Sequence, residues 1–336
     1  MATTCSVLAD FVERSLFSRA NKHKESRTYD TSLLAAICAL PSDQSERLSA
    51  LLQDKPQEVT VKLWKLLVER GETARTERDF ARAHFFFVAA RQVAQHLSDR
   101  LREGLALYQT GLTHTYEWQL DAAIKDYLNS REALQTANAN EHLVYVLADL
   151  GALYYYQQTF QQAKEYSRQS LTLAGRLPVT MPNEQVRPDG LATALANLGA
   201  VARWEGDYEQ ALDYLQKALS QYQALARSNP DFKAQVAETQ AEIGRAYRVL
   251  GDYTQALAYL NQGLMLARTV PEPGFQADMM NSIGIVYLEQ RDYTQAAVFF
   301  RQSLAIHRAV KDDRAVARNC STWASPNTAK PIMRQH

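Results

Sequence analysis

The chain has 336 residues, 46% hydrophobic and 22% charged, a composition that excludes disorder as the default state. Thirty-seven basic and 37 acidic residues cancel, so no overall field gathers nucleic acid or anionic lipid. Cys5, Cys38 and Cys320 are too few and too far apart for a disulfide framework or a zinc-binding spacing.

In chain order, the N-terminus shows no basic segment leading into an apolar run, so no signal peptide is expected. Apolar stretches such as Phe85 to Ala90 fall far short of the about 20 residues that span a bilayer. The cytoplasm is the expected compartment. Arg19, Lys22, His23, Lys24 and Arg27 form the one local basic cluster, read as a solvated loop. Ser32 to Leu40 and Gln44 to Gln53 carry apolar residues at helical spacing, broken by Pro41 and Pro56. Residues 1–56 are therefore expected to be a helical lead-in that caps the open apolar face of the helices beyond it.

From residue 57 to 319 the chain repeats itself. Gly71, Gly111, Gly151, Gly199, Gly244 and Gly284 recur at intervals of 40, 40, 48, 45 and 40. Twelve residues after each glycine stands an alanine: Ala83, Ala123, Ala163, Ala211, Ala256 and Ala296. Three before each alanine is a large apolar residue, and seven after it is a small one: Ala90, Ser130, Ser170, Ala218, Gly263, Ser303. Such a clock implies one supersecondary unit used six times. Each unit reads as a helix, a tight turn and a second helix. Two small residues at the crossing let the axes approach to about 8–9 Å, aromatic residues fill the space around it, and the later small position leaves room for the next unit. Gly206-Asp207 and Gly251-Asp252 have the chemistry of the turn. Glycine accepts the left-handed C-cap, and aspartate takes the free N–H groups of the second helix. The two longest intervals hold Pro178, Pro182 and Pro188, read as a loop, and Pro230, read as the end of an extended helix.

The pattern resembles the tetratricopeptide repeat. Leu195 to Gly199, with Gly206-Asp207-Tyr208-Glu209-Gln210-Ala211-Leu212 after it, is a close match, as are the fifth and sixth units, and the resemblance covers roughly residues 60 to 310. The family's period is about 34; the longer units here are similar to those of kinesin light chain and of bacterial cytoplasmic regulators. The resemblance implies an all-α fold, a right-handed α-solenoid superhelix of stacked antiparallel helix pairs.

In such arrays the first helices line a concave groove. The family's groove offsets from the repeat glycine give Tyr108, Tyr116, Tyr145, Tyr155, Tyr156 and Trp204, with Asp149, Asn197, Arg203, Glu238, Glu242, Arg245 and Arg248. An aromatic centre with charged flanks suits an extended peptide or an amphipathic helix. The family's clamp for a C-terminal carboxylate needs a lysine three before the glycine and an asparagine one after it. Val68 and Glu72 in the first unit, and Ala196 and Ala200 in the fourth, do not supply it.

Catalytic motifs are missing: no phosphate-binding glycine loop, nucleophile elbow, HExxH or CxxC. His114 reads as a packed, hydrogen-bonded core histidine rather than a ligand, and Glu238 and Glu242, four apart on one helix face, as groove or solvated-face residues rather than a general acid and base. No enzyme activity, cofactor or metal is expected. Residues 320–336 break the clock with Ala324, Pro326 and Pro331. They read as an irregular tail, a truncated seventh unit whose exposed end is a candidate for self-association. The function implied is a protein-interaction scaffold or adaptor for a peptide or protein partner, with no nucleic acid or membrane. The alternative is the peptide-sensing module of a bacterial signalling system.

Overall fold

The computed structural model describes residues 32–43, 45–177, 189–270 and 273–309. Two helices lead in, α1 (Ser32–Ala39) and α2 (Ser45–Asp54). Six helix pairs come next: α3 (Val61–Thr76) with α4 (Phe80–His96), α5 (Arg100–Tyr116) with α6 (Leu120–Thr136), and α7 (Asn140–Tyr156) with α8 (Phe160–Ala174). Then come α9 (Gly190–Glu205) with α10 (Tyr208–Ser228), α11 (Lys233–Val249) with α12 (Tyr253–Ala267), and α13 (Pro273–Glu289) with α14 (Tyr293–Ala309). No strand occurs among the described residues. From α3 onward each helix packs on its chain neighbours, α2 packs on α1 and α4, and α9 also packs on α7 and α13 on α11. The first helices of successive units thus form one wall of a right-handed α-solenoid.

The pair geometry comes from the glycines. A Cβ on Gly199 would sit 2.6 Å from Leu215 Cγ and 3.2 Å from the Ala211 carbonyl oxygen; on Gly111 it would meet the Tyr127 ring at 2.6 Å and the Ala123 carbonyl at 3.3 Å. Phe87, Leu260 and Phe300 lie in the same way over Gly71, Gly244 and Gly284. All of these residues stand four after the repeat alanine. The alanine therefore brings its backbone against the glycine, and the next residue on that face of the helix covers it.

In the second, third, fifth and sixth units the small residue seven after the alanine also makes a close approach within its own pair. Ser130, Ser170 and Ser303 donate their hydroxyls to the carbonyls of Gly104, Val144 and Ala277 at 2.6–2.7 Å. At Gly263 a Cβ would lie 3.0 Å from the Ala237 carbonyl. Each acceptor stands seven residues before a repeat glycine, so the pair has two close approaches, two helical turns apart. Gly263 also meets the next unit, through Met279.

The turns repeat equally closely. In all six pairs the N–H eight residues past the glycine donates to the carbonyl three past it, as in Asp79 to Ala74 and Asp207 to Ala202, at 2.8–3.0 Å. That closure requires a left-handed residue one position earlier. Gly206 and Gly251 provide it, but Arg78, Trp118, Gln158 and Arg291 adopt the same positive φ, between 62° and 64°, with side chains attached. Asp79, Asp207, Asp252 and Asp292 then accept the N–H three residues on, capping the second helix.

At the N-terminal end, α1 and α2 bury Leu33, Leu34, Ile37, Leu48 and Leu52 in a cluster with Phe85, Phe86 and Leu67. Arg82 of α4 donates to the carbonyls of Cys38 and Leu40, and Glu58 accepts from Ser32 and the Leu33 N–H at the start of α1. The 21-residue α10 ends at Ser228, before a 3₁₀ turn over Pro230–Phe232, as Pro230 demands. The basic cluster at 19–27, the loop at 178–188 and the tail at 320–336 lie outside the described residues.

Two substitutions test this geometry in opposite directions. Gly199→Ala should lower the thermal midpoint, by about 1–3 kcal/mol of overpacking. Arg291→Gly should raise it, since relief of the left-handed backbone, about 1–2 kcal/mol, exceeds the added unfolded-state freedom of glycine, about 0.4–1 kcal/mol.

Candidate functional site: the concave groove

The first helices of the third to sixth units enclose a concave pocket of about 590 Å³. Helix α7 supplies Tyr155 and Tyr156, and α9 supplies Asn197, Arg203 and Trp204. Gln235, Glu238, Glu242 and Arg245 come from α11, and Phe275, Asp278, Asn281 and Ile285 from α13. Residues outside the wall join them, Phe160 at the start of α8, Gln158 in the turn before it, and Leu215 and Tyr222 of α10.

One end of the groove is aromatic. The Trp204 ring stacks on Phe160 with centroids 3.7 Å apart, yet the residue stays 60% exposed. Tyr155 stands edge-on to both Phe160 and Tyr156. An exposed indole held rigidly by a second ring is a ready apolar anchor, because little side-chain freedom remains to be lost on contact.

The middle of the wall is ionic. Arg203 Nε lies 2.8 Å from Glu242 Oε2, Arg245 pairs with the other oxygen of Glu242, and Arg203 also reaches the Tyr155 hydroxyl at 3.4 Å. Burial pushes the Glu242 carboxyl upward, but the two guanidinium groups outweigh it and hold the group below the usual carboxylate range. Glu238, one turn away, has no such pair of partners. Burial and the nearby Glu242 charge raise it to about 7, against the weaker pull of Arg245. Burial and Glu242 likewise raise the Tyr155 phenol, which stays protonated and accepts from Arg203. The two glutamates read in sequence as equivalent are thus different, one ionised and one near half-protonated at neutral pH.

Amides line the far side. Gln235 is 5% exposed, and its Oε1 has no hydrogen-bond partner among the described residues; Asn281 Oδ1 has none either. Asn197 spends its Nδ2 on the Ala148 carbonyl at 2.8 Å, tying α9 to α7.

Eight of the thirteen residues read from the sequence line this pocket: Tyr155, Tyr156, Asn197, Arg203, Trp204, Glu238, Glu242 and Arg245. Five do not. Tyr108, Tyr145 and Asp149 are each 3% exposed, packed between helices. The Tyr108 hydroxyl donates to Asp149 at 2.8 Å, its ring lies 4.8 Å from Tyr145, and Tyr145 meets His142. Tyr116 stacks against Phe80 and beneath Arg75, and Arg248 pairs with Glu289. The sixth unit also contributes, which sequence reasoning missed. Asp278, Asn281, Ser282 and Ile285 stand at six, three and two before and one after Gly284, the same offsets that pick out groove residues in the other units. Gln235 and Phe275 stand nine before their glycines, one helical turn beyond those offsets.

The family model for the tetratricopeptide repeat matches residues 190–264 and 235–309. Residues 190–309 thus match the tetratricopeptide repeat, and the earlier pairs are built on the same glycine–alanine clock. No curated protein matches it. Solved structures share the fold at low identity. Cut9 of an APC/C hetero-tetramer with Hcn1 is 22% identical, with a TM-score of 0.58 over 93% of this chain and 54% of that one. This chain therefore spans about half the length of Cut9. A Rap protein complexed with Competence and Sporulation Factor is 13% identical, with a TM-score of 0.54 over 98% of this chain and 95% of that one. NprR in complex with its cognate peptide NprX is 14% identical, also at 0.54, over 90% and 86%. No helix among the described residues is long and apolar enough to cross a membrane.

Glu238 gives the groove a pH signature. Its folded-state value of about 7 exceeds the ordinary 4.5, so the folded chain holds this proton more tightly than the unfolded chain. Its contribution is fully present below about pH 4.5 and lost as pH rises through about 7, a change of at most about 3 kcal/mol. Thermal midpoints at pH 5 and pH 8 should differ less in Glu238→Gln than in the parent chain.

Proposed function

We propose that the chain is a non-enzymatic protein-interaction scaffold that holds an extended peptide, or one helix of a partner, in the α7–α13 groove. The observation that carries this reading is the pocket's combination of parts. A rigid exposed indole stands at one end, a fixed Arg203–Glu242–Arg245 cluster in the middle, and amide acceptors without partners on the far side. An extended peptide offers what each part lacks. Its apolar side chains cover Trp204, its carboxylates or carbonyls meet the arginines, and its backbone N–H groups satisfy Gln235 and Asn281. The structural likeness to NprR with its cognate peptide and to a Rap protein with its factor supports a peptide ligand for this fold.

The residues proposed to touch the partner are Tyr155, Tyr156, Arg203, Trp204, Gln235, Glu242 and Arg245. Tyr108, Tyr145 and Asp149 hold the wall together behind them. The same groove suits the sensing module of a signalling system, because a ligand lying across four units couples their relative tilt. Small-angle scattering separates the two readings. Only a sensor changes its radius of gyration on binding.

A displayed library of random peptides, selected on the full chain, tests the proposal. Selected peptides should share an aromatic or aliphatic anchor. Trp204→Ala should weaken them about thirtyfold, the loss of one hot spot worth about 2 kcal/mol. Tyr108→Phe should leave affinity within about twofold, because it removes a single hydrogen bond away from the ligand. Peptides that bind equally to the Trp204→Ala and Arg203→Ala variants would place the partner elsewhere.

A further inference from the structure

The second unit differs from three of the others at one position pair. Three residues past the glycine and three past the alanine, the third, fifth and sixth units stack two aromatic rings: Tyr154 on Tyr166, Tyr247 on Tyr259, and Tyr287 on Phe299, with centroids 5.3–5.7 Å apart. The second unit has His114 and Asp126 there, and His114 Nδ1 lies 2.8 Å from Asp126 Oδ2. A carboxylate accepting from Nδ1–H fixes the tautomer and leaves Nε2 with its lone pair.

Two more donors converge on that ring from the junction between the first two units. The His84 ring on α4 lies 4.2 Å from the His114 ring, and His84 Nε2 is 2.6 Å from Oε2 of Glu117, at the end of α5. One ligand atom from each of His84, His114 and Glu117 lies within 4.8 Å of the other two. The side chains of all three remain 21–24% exposed, enough for an ion and its water to enter.

We propose that His84, His114 and Glu117 form a site for one divalent transition-metal ion of the zinc class. Two imidazoles and a carboxylate are a donor set that suits such an ion. Three protein ligands leave the fourth tetrahedral position to water. The ion replaces the His84–Glu117 hydrogen bond, and the proton on His84 Nε2 moves to Nδ1 through solvent. Asp126 is a positioning residue that aims His114. Because the ligands come from α4 and α5, bound metal clamps the first unit to the second. None of these residues lines the groove, so the site stands or falls independently of the peptide reading.

The test uses tag-free full-length chain, stripped with chelator, in a background in which Cys5, Cys38 and Cys320 are serine. Titration calorimetry with zinc chloride should find one ion per chain at micromolar affinity or better. Cobalt(II) should give the intense visible absorption of four-coordinate geometry, and zinc should raise the thermal midpoint. His84→Ala/His114→Ala should abolish all three effects. Asp126→Asn should weaken zinc about tenfold while keeping the four-coordinate cobalt spectrum. Circular dichroism confirms that each variant is folded, and Glu117→Gln, which keeps the shape of the side chain, should also lose at least tenfold. Absence of zinc binding below millimolar concentration, or binding unchanged in the double-histidine variant, overturns the proposal.

Discussion

The architecture depends on one contact, a glycine pressed beneath the residue four past the repeat alanine. At Gly199 the intruding group is Leu215, at Gly111 it is Tyr127, and at Gly71 and Gly284 it is a phenylalanine ring. No side chain fits on the glycine, since any Cβ there would stand 2.5–2.8 Å from the covering residue in these and in the fifth unit. The second approach, at the small residue seven past the alanine, fixes the far end of the same pair through a serine-to-carbonyl hydrogen bond or plain backbone contact. Two fixed points along two rods set their crossing. The α-solenoid is that crossing repeated.

A wall built this way presents the same faces at every unit, so its chemistry is decided by which residue fills each offset. Two before the glycine stand Asp149, Asn197, Glu242 and Ser282 in successive units. Asp149 is spent on Tyr108 and Asn197 on the Ala148 carbonyl, whereas Glu242 sits between two arginines facing the pocket. One repeat position therefore serves as internal strut in one unit and as groove chemistry in another. The aromatic pair three past each marker shows the same division, a ring stack in three units and a histidine–aspartate pair in the second.

That division explains what was legible in the sequence. The helix pairs and the glycine–alanine crossing were readable because they rest on steric needs that admit few residue types. The turns were readable only where glycine marked them. Arg78, Trp118, Gln158 and Arg291 take the same left-handed conformation without any residue-level sign, because the closing hydrogen bond and the packed pair impose it. In the groove, offsets gave the correct helix face but not the depth of each residue. Tyr108 and Tyr145 share the aromatic character of Tyr156, yet neighbouring rings cover them. His84 and His114 lie 30 residues apart on different units, and only the stacking of those units brings their rings together.

The central claim is that the close helix crossing at the repeat glycine exists in solution. Nuclear Overhauser contacts in a methyl-labelled, perdeuterated sample with protonated glycine measure it most directly. The Gly199 α-protons should show strong cross-peaks to the Leu215 methyls, and the Gly244 α-protons to those of Leu260. Assigned resonances with no cross-peak in either pair would contradict the crossing, and with it the groove that the stacked crossings create.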